Sequence, residues 1–192
     1  AREGVDIKRI QPELKPKPTR GTGQALNELE SEAIKGYTGG DFAPIVQHQL
    51  GNTDSINDWS RYKFSASTVD NQINRIESGL LKLDGHKGVT HRGINFRAAE
   101  QQTKFLSQFK KGSVWKSNSF QSTSIDISDA EVFAGRNVEG VRGAILHIDG
   151  RSGRKVSKFS LIPEQEVLFM KNTPFRVDRI IGDEIYLTEI SG

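Results

Sequence analysis

The hydrophobic period changes part-way along this chain, and the change restricts the folds open to it more than any other feature. Val69, Ile73, Ile76, Leu80 and Leu83 recur at helical spacing and form one apolar face. Asp84-Gly85 closes that run. From "GVTHRGINF" onward the chain breaks into short stretches with strand character, several of them alternating and rich in β-branched and aromatic residues. The clearest are "VRGAILHIDG", "EVLFM", "FRVDRII" and "EIYLTEI". A helical first half followed by a strand-rich second half predicts an α+β fold, because a parallel βαβ sheet would interleave the two periods.

Other elements fit this frame. "GQALNELESEAIKGY" predicts a helix capped by Thr22 and stopped by Gly39-Gly40. "DFAPIVQHQL" predicts a second helix with Pro44 in its first turn. The stretch "DSINDWSRYKFSAST" is mixed. "RAAEQQTKFLSQF" reads as helix, and "SVWKSNSFQSTSI" as one alternating strand. "SDAEVFAG" reads as a short helix capped by Ser128, with Glu131 at the capping-box position. Turns are expected at Asp149-Gly150 and Gly182-Asp183. "GRSGRKVSK", with four cations, reads as a solvated loop that an acidic partner can touch.

The length of 192 residues suits one folded domain, residues 21–192, preceded by an extended arm, residues 1–20. Pro12, Pro16 and Pro18 keep that arm out of helix. Six of the 27 basic residues and three of the 24 acidic ones lie in the arm, so the remainder is balanced at 21 of each. The net charge of +3 is therefore a property of the arm, and it argues against a nucleic-acid-binding body. There is no cysteine for disulfide or thiolate chemistry. No apolar run approaches membrane-span length, and the first residues do not read as a signal peptide. Gly88 and Gly93 have phosphate-loop spacing, but Ile94 stands where lysine is needed. No G-x-S-x-G elbow occurs. The four histidines, His48, His86, His91 and His147, show no metal-ligand spacing, so no metal site is expected.

Three fragments at strand positions remain: "THRG" with Arg92, "FQSTS" with Ser122, Thr123 and Ser124, and "PEQEVLF" with Glu164 and Glu166. Residues i and i+2 of a strand share a face, so the two carboxylates point the same way and Gln165 points away. Each fragment alone has an ordinary structural explanation, whether a surface ion pair, hydroxyls at a strand edge or solvated acids. The apolar run after Glu166 is expected to anchor a strand whose end projects the glutamates into a cleft.

Together, in this order and spacing, the fragments resemble the arginine, S-T-S, E-x-E signature of the mono-ADP-ribosyltransferases. The likeness extends to "SEAIKGYTGGDFAPIVQHQL", similar to the helical segment ahead of the catalytic core, and to "SKFSLIPEQEVLF", similar to the loop entering the catalytic glutamate. Residues 1–20 fall outside it.

The resemblance implies a helical N-terminal half packed on two antiparallel or mixed β-sheets with an NAD cleft, and NAD as the substrate. It implies that Glu166 holds the 2′-hydroxyl of the nicotinamide ribose and stabilises an oxocarbenium-like sugar. Ser122 braces that glutamate. Arg92 meets the NAD phosphates. Gly93 admits backbone to the carboxamide, and Phe133 packs on the nicotinamide ring. Glu164 orients and deprotonates an acceptor arginine, since a guanidinium is a poor nucleophile while protonated. Phe159 recognises the acceptor. The likeness is strongest to bacterial toxin or effector domains that are secreted or delivered into a target cell's cytoplasm. It implies a target protein carrying the arginine and, for a toxin aimed at competitors, a neutralising immunity protein in the producing cell. An NAD glycohydrolase, a transferase with a different or nucleic-acid acceptor, and a binding module with a degenerate cleft stay open as alternatives.

Overall fold

A computed structural model describes residues 19–52, 65–160 and 165–190 of the chain. The arm residues 1–18, most of the mixed stretch after residue 52, and Glu164 lie outside the described residues.

The helices come first. Helix α1 spans Glu28–Gly36 and α2 spans Phe42–Gln49, joined by a π turn over Tyr37–Asp41. Helix α3, Ala66–Lys82, carries the apolar face read from the sequence. Its Val69, Ile73, Ile76 and Leu80 are buried against Ala33, Ile34, Tyr37 and Ile45 of the preceding helices. Two boundaries differ from expectation. Asn27, not Thr22, caps α1, in a reciprocal box with Glu30: the Glu30 amide donates to Asn27 Oδ1, and the Asn27 amide donates to Glu30 Oε2, both at 2.9 Å. Glu30 is itself buried and accepts hydrogen bonds from Lys82 (2.8 Å) and Ser78 (2.7 Å), which push its pKa down to about 2. Contact with α3 therefore decides where α1 starts. Gly39-Gly40 bends the chain without ending it, because Gly40 adopts φ 145°, a conformation other residues avoid, and α2 continues at once. Pro44 sits in the first turn of α2, as read.

The strands follow. In chain order they are β1 Gly88–Phe96, β2 Val114–Trp115, β3 Gln121–Ser124, β4 Arg142–Gly150, β5 Arg154–Lys155, β6 Glu166–Phe169, β7 Phe175–Ile181 and β8 Glu184–Glu189. Between them lie α4, Ala99–Leu106, and α5, Ile127–Phe133. The fold is α+β. The strands form one hydrogen-bonded sheet in the order β2-β7-β8-β4-β1-β3-β6-β5, where two sheets were expected. The sheet is narrowest at the β1–β3 junction, where a single residue pair, His91 with Ser124, joins the two parts. All the pairings are antiparallel except β4 with β8.

One core lies between the helices and the sheet, with Leu168 of β6 and the strand-flanking Phe120 and Val156 on the sheet side. A second, on the far face, gathers Phe109, Trp115, Val167, Phe169 and Phe175 with Leu146, Ile148 and Leu187. Successive residues of β6 thus face opposite cores, Leu168 one and Val167 and Phe169 the other, as strand alternation requires.

Three further expectations are corrected. "SVWKSNSFQSTSI" is not one strand. β2 pairs with β7 at one edge of the sheet, and β3 lies between β1 and β6. Asp126, not Ser128, caps α5, its Oδ1 accepting from the Ser128 amide at 2.9 Å. The cationic loop is not wholly solvated either. Arg151 and Arg154 are buried, Arg151 donating to Asp149 (2.5 Å) and Arg154 to the carbonyl of Thr19 (3.0 Å). No described helix is long and apolar enough to cross a membrane.

Candidate active site

Arg92, Ser122 and Glu166 come from three neighbouring strands, β1, β3 and β6, and meet where β3 joins β1. The Ser122 hydroxyl donates to Glu166 Oε1 at 2.5 Å. Arg92 Nη1 donates to the Ser122 carbonyl at 2.7 Å. One residue of the S-T-S strand therefore holds the arginine by its backbone and the glutamate by its side chain. Register explains the reach. Ser124 pairs with Glu166 and Ser122 with Leu168, so Ser122 and Glu166 are diagonal neighbours on a shared face. Charge-assisted bonds of this kind are short and strong. Part of the Arg92 fork is thus committed to a strut between β1 and β3, at the place where those strands share only one residue pair.

Glu166 is 6% exposed. Glu166 opens β6, at the strand end expected of it, but the carboxylate is buried together with the other three residues of that strand. Burial also disfavours the charged form of Arg92, an effect that nearby Tyr37 and Glu166 oppose. Tyr37, from the π turn, interacts with both Arg92 and Glu166 from the helical side. Burial holds its phenol above the ordinary value, with Arg92 opposing and Glu166 adding. Its ring meets Phe120 edge to face at 5.7 Å. In the sequence Tyr37 shows only as the last apolar position of the first helical pattern, after Leu26, Leu29 and Ala33, with no sign that it lies beside Arg92 and Glu166.

The other hydroxyls of the motif have separate work. Thr123 donates to the Val167 carbonyl at 2.7 Å and ties β3 to β6. Ser124 donates to Asp129 Oδ2 at 2.6 Å and accepts from the Asp126 amide at 3.0 Å, fixing the start of α5.

Gly93 is in close contact with α5. A Cβ there would stand 1.8 Å from the Ala130 carbonyl oxygen. Substrate approach is thus not the only reason a side chain is excluded. Gly93→Ala is expected to force α5 off the sheet at a cost of about 1–3 kcal/mol. A thermal melt would show this as a fall of roughly 2–10 °C in Tm, and an unchanged Tm would contradict the close seating. Phe133, the last residue of α5, is 54% exposed. Phe159 is half-buried against the helical core.

On the opposite face of β1, the β1–β4 register brings together two histidines that the sequence separates widely. His91 Nδ1 lies 2.8 Å from His147 Nδ1, which needs one nitrogen protonated and the other bare. His147 stacks on Tyr186, whose ring also carries the Arg179 guanidinium at 3.9 Å. Burial lowers the pKa of both imidazoles; His147 reinforces this at His91 and Asp126 opposes it, while Glu184 opposes it at His147 and Arg179 and Arg136 reinforce it. The unfolded chain therefore takes up protons first as the pH falls. Their stabilisation is complete above the unfolded value of about 6.5 and is lost below it, down through the lower folded values. Tm is expected to fall from pH 7 to pH 5, and to fall less in the double variant His91→Gln, His147→Gln. Equal falls in the two proteins would refute this assignment.

Known proteins can be set beside this geometry. A family model described as ADP-ribosyltransferase exoenzyme matches residues 14–186. The chain belongs to the ADP-ribosyltransferase exoenzyme family. Members of this family use NAD as the ADP-ribose donor. Among solved structures, the ADP-ribosyltransferase Vis with a bound inhibitor superimposes with a TM-score of 0.70 at 20% identity, over 87% of this chain and 75% of that one. The Vis toxin is from Vibrio splendidus. Exoenzyme S of Pseudomonas aeruginosa, solved with human 14-3-3 protein beta and bound carba-NAD, gives 0.64 at 21% identity, over 85% and 74%. The C3 exoenzyme of Clostridium limosum gives 0.57 at 17%, over 86% and 87%. These likenesses establish the shared fold. Comparison with curated protein sequences gave no match.

Proposed function

We propose that this exoenzyme-family protein transfers ADP-ribose from NAD to an arginine side chain of a target protein, and that it acts as a bacterial toxin or effector. The observation that carries the proposal is the 2.5 Å bond from Ser122 to Glu166, with Arg92 fastened to the same serine. A carboxylate held this firmly needs no reorganisation as the sugar becomes cationic, which is the condition for electrostatic catalysis.

In this reading Glu166 accepts the 2′-hydroxyl of the nicotinamide ribose. The bond from C1′ to nicotinamide breaks, nicotinamide leaves with the electron pair, and positive charge spreads over C1′ and the ring oxygen. Arg92 directs its uncommitted N–H groups to the NAD phosphates, the Gly93 backbone meets the carboxamide, and Phe133 lies against the nicotinamide ring. An acceptor nitrogen then bonds to C1′, and Glu164 takes the proton it sheds. Phe159 contributes to acceptor recognition. Two observations favour arginine as acceptor. A second carboxylate stands two residues before Glu166 in the sequence. Vis, which shares the fold at a TM-score of 0.68, has been solved with agmatine, a guanidine like the arginine side chain. The protein would act after delivery into the cytoplasm of a target cell, and a producing cell exposed to it would need a neutralising protein that blocks the cleft.

Incubating the protein with NAD and agmatine tests this. Mass spectrometry is expected to find agmatine carrying one ADP-ribose, matched by released nicotinamide. Free ADP-ribose alone, formed at a rate indifferent to agmatine, would make water the acceptor and the protein a glycohydrolase.

A further inference from the structure

Helix α5 is only seven residues long, too short to be stable without tertiary support. It follows the S-T-S strand directly and lies on β1, the strand of Arg92. Buried Ala130 and the buried C-capping residue Ala134 seat the backbone against two glycines. A Cβ on Gly93 would meet the Ala130 carbonyl oxygen at 1.8 Å, and one on Gly143 would meet the Ala134 carbonyl oxygen at 2.0 Å. Gly143 pairs with Asn95 across β1 and β4, and Asn95 shares its strand face with Gly93.

Both ends of the helix are pinned by side chains. Ser124 and Asp129 hold the start. At the finish, Asn95 Nδ2 donates at 3.0 Å to the carbonyl of Phe133, one of the carbonyls that a helix end leaves without an intrahelical partner. Asn95 is exposed, so water could serve that carbonyl if chemistry alone were at stake. A fixed amide sets position as well, and the residue it fixes is the half-exposed aromatic at the helix terminus.

We propose that Asn95 is a positioning residue for NAD binding: its amide holds the Phe133 backbone so that the ring stands ready against nicotinamide. This rests on the reading of Phe133 given above. The signal was absent from the sequence, because Asn95 precedes Phe133 by 38 residues and only the packing of α5 on β1 brings them together.

The test measures KM and kcat for nicotinamide release in Asn95→Asp, Phe133→Ala and the double variant. Aspartate keeps the size of asparagine and lacks the donor. Asn95→Asp is expected to raise KM for NAD about five-fold with kcat within about two-fold, on the scale of one lost hydrogen bond. Asn95→Gln, which keeps an amide donor, is expected to recover part of the loss. In the Phe133→Ala background the Asn95 change is expected to add nothing, since the ring it positions is gone. If Phe133→Ala raises KM but Asn95→Asp does not, or if the two effects multiply, the positioning role is overturned and the reading of Phe133 stands. If Phe133→Ala leaves KM unchanged, that reading fails and this inference falls with it.

Discussion

Glu166→Gln is expected to slow nicotinamide release from NAD by about 10²–10³-fold or more, with or without an acceptor, while NAD binding and the fold persist. Glutamine keeps the size of glutamate and still offers an oxygen to the Ser122 hydroxyl, so the bond that braces residue 166 can re-form. What it lacks is the negative charge. Charge matters most when the sugar is cationic, so the loss should appear in kcat and leave KM for NAD nearly unchanged. A comparable fall in Tm would make the effect structural and remove its mechanistic meaning. Ser122→Ala should be milder, because the carboxylate stays while its brace goes.

Glu164→Gln is expected to divide the two activities. Transfer to agmatine should drop by about 10²-fold or more, because the guanidinium loses the group that orients and deprotonates it. Slow hydrolysis of NAD should survive, since water needs less assistance from residue 164. The contrast with Glu166→Gln is the informative part. Matching losses of transfer and hydrolysis in both variants would remove the division of labour between the two acids.

Much of this architecture is legible in the sequence where local pattern and tertiary demand agree. The apolar face of α3 is of that kind, as are β1, β4, β7 and β8, and the ordered trio of Arg92, Ser122 and Glu166. The failures occur where a distant partner decides. Alternation in "SVWKSNSFQSTSI" reports which way side chains face and is silent about strand partners, so a crossing from one sheet edge to the centre leaves no trace in it. Thr22 is a sound cap by residue type, yet Asn27 prevails because Glu30 is held by Lys82 and Ser78 of α3. Arg151 and Arg154 look like solvent-facing cations by composition, but Asp149 and the Thr19 carbonyl take them inside. The His91–His147 contact and the Asn95–Phe133 bond both arise from pairing and packing on β1, which no local window contains.

The most direct test is a crystal structure of the protein with a hydrolysis-resistant carba analogue of NAD. The nicotinamide ribose is expected beside Arg92, Ser122 and Glu166, with its 2′-hydroxyl within about 2.6–3.2 Å of a Glu166 carboxylate oxygen. A nicotinamide ribose bound elsewhere, or turned so that Glu166 faces no part of that sugar, would contradict this expectation.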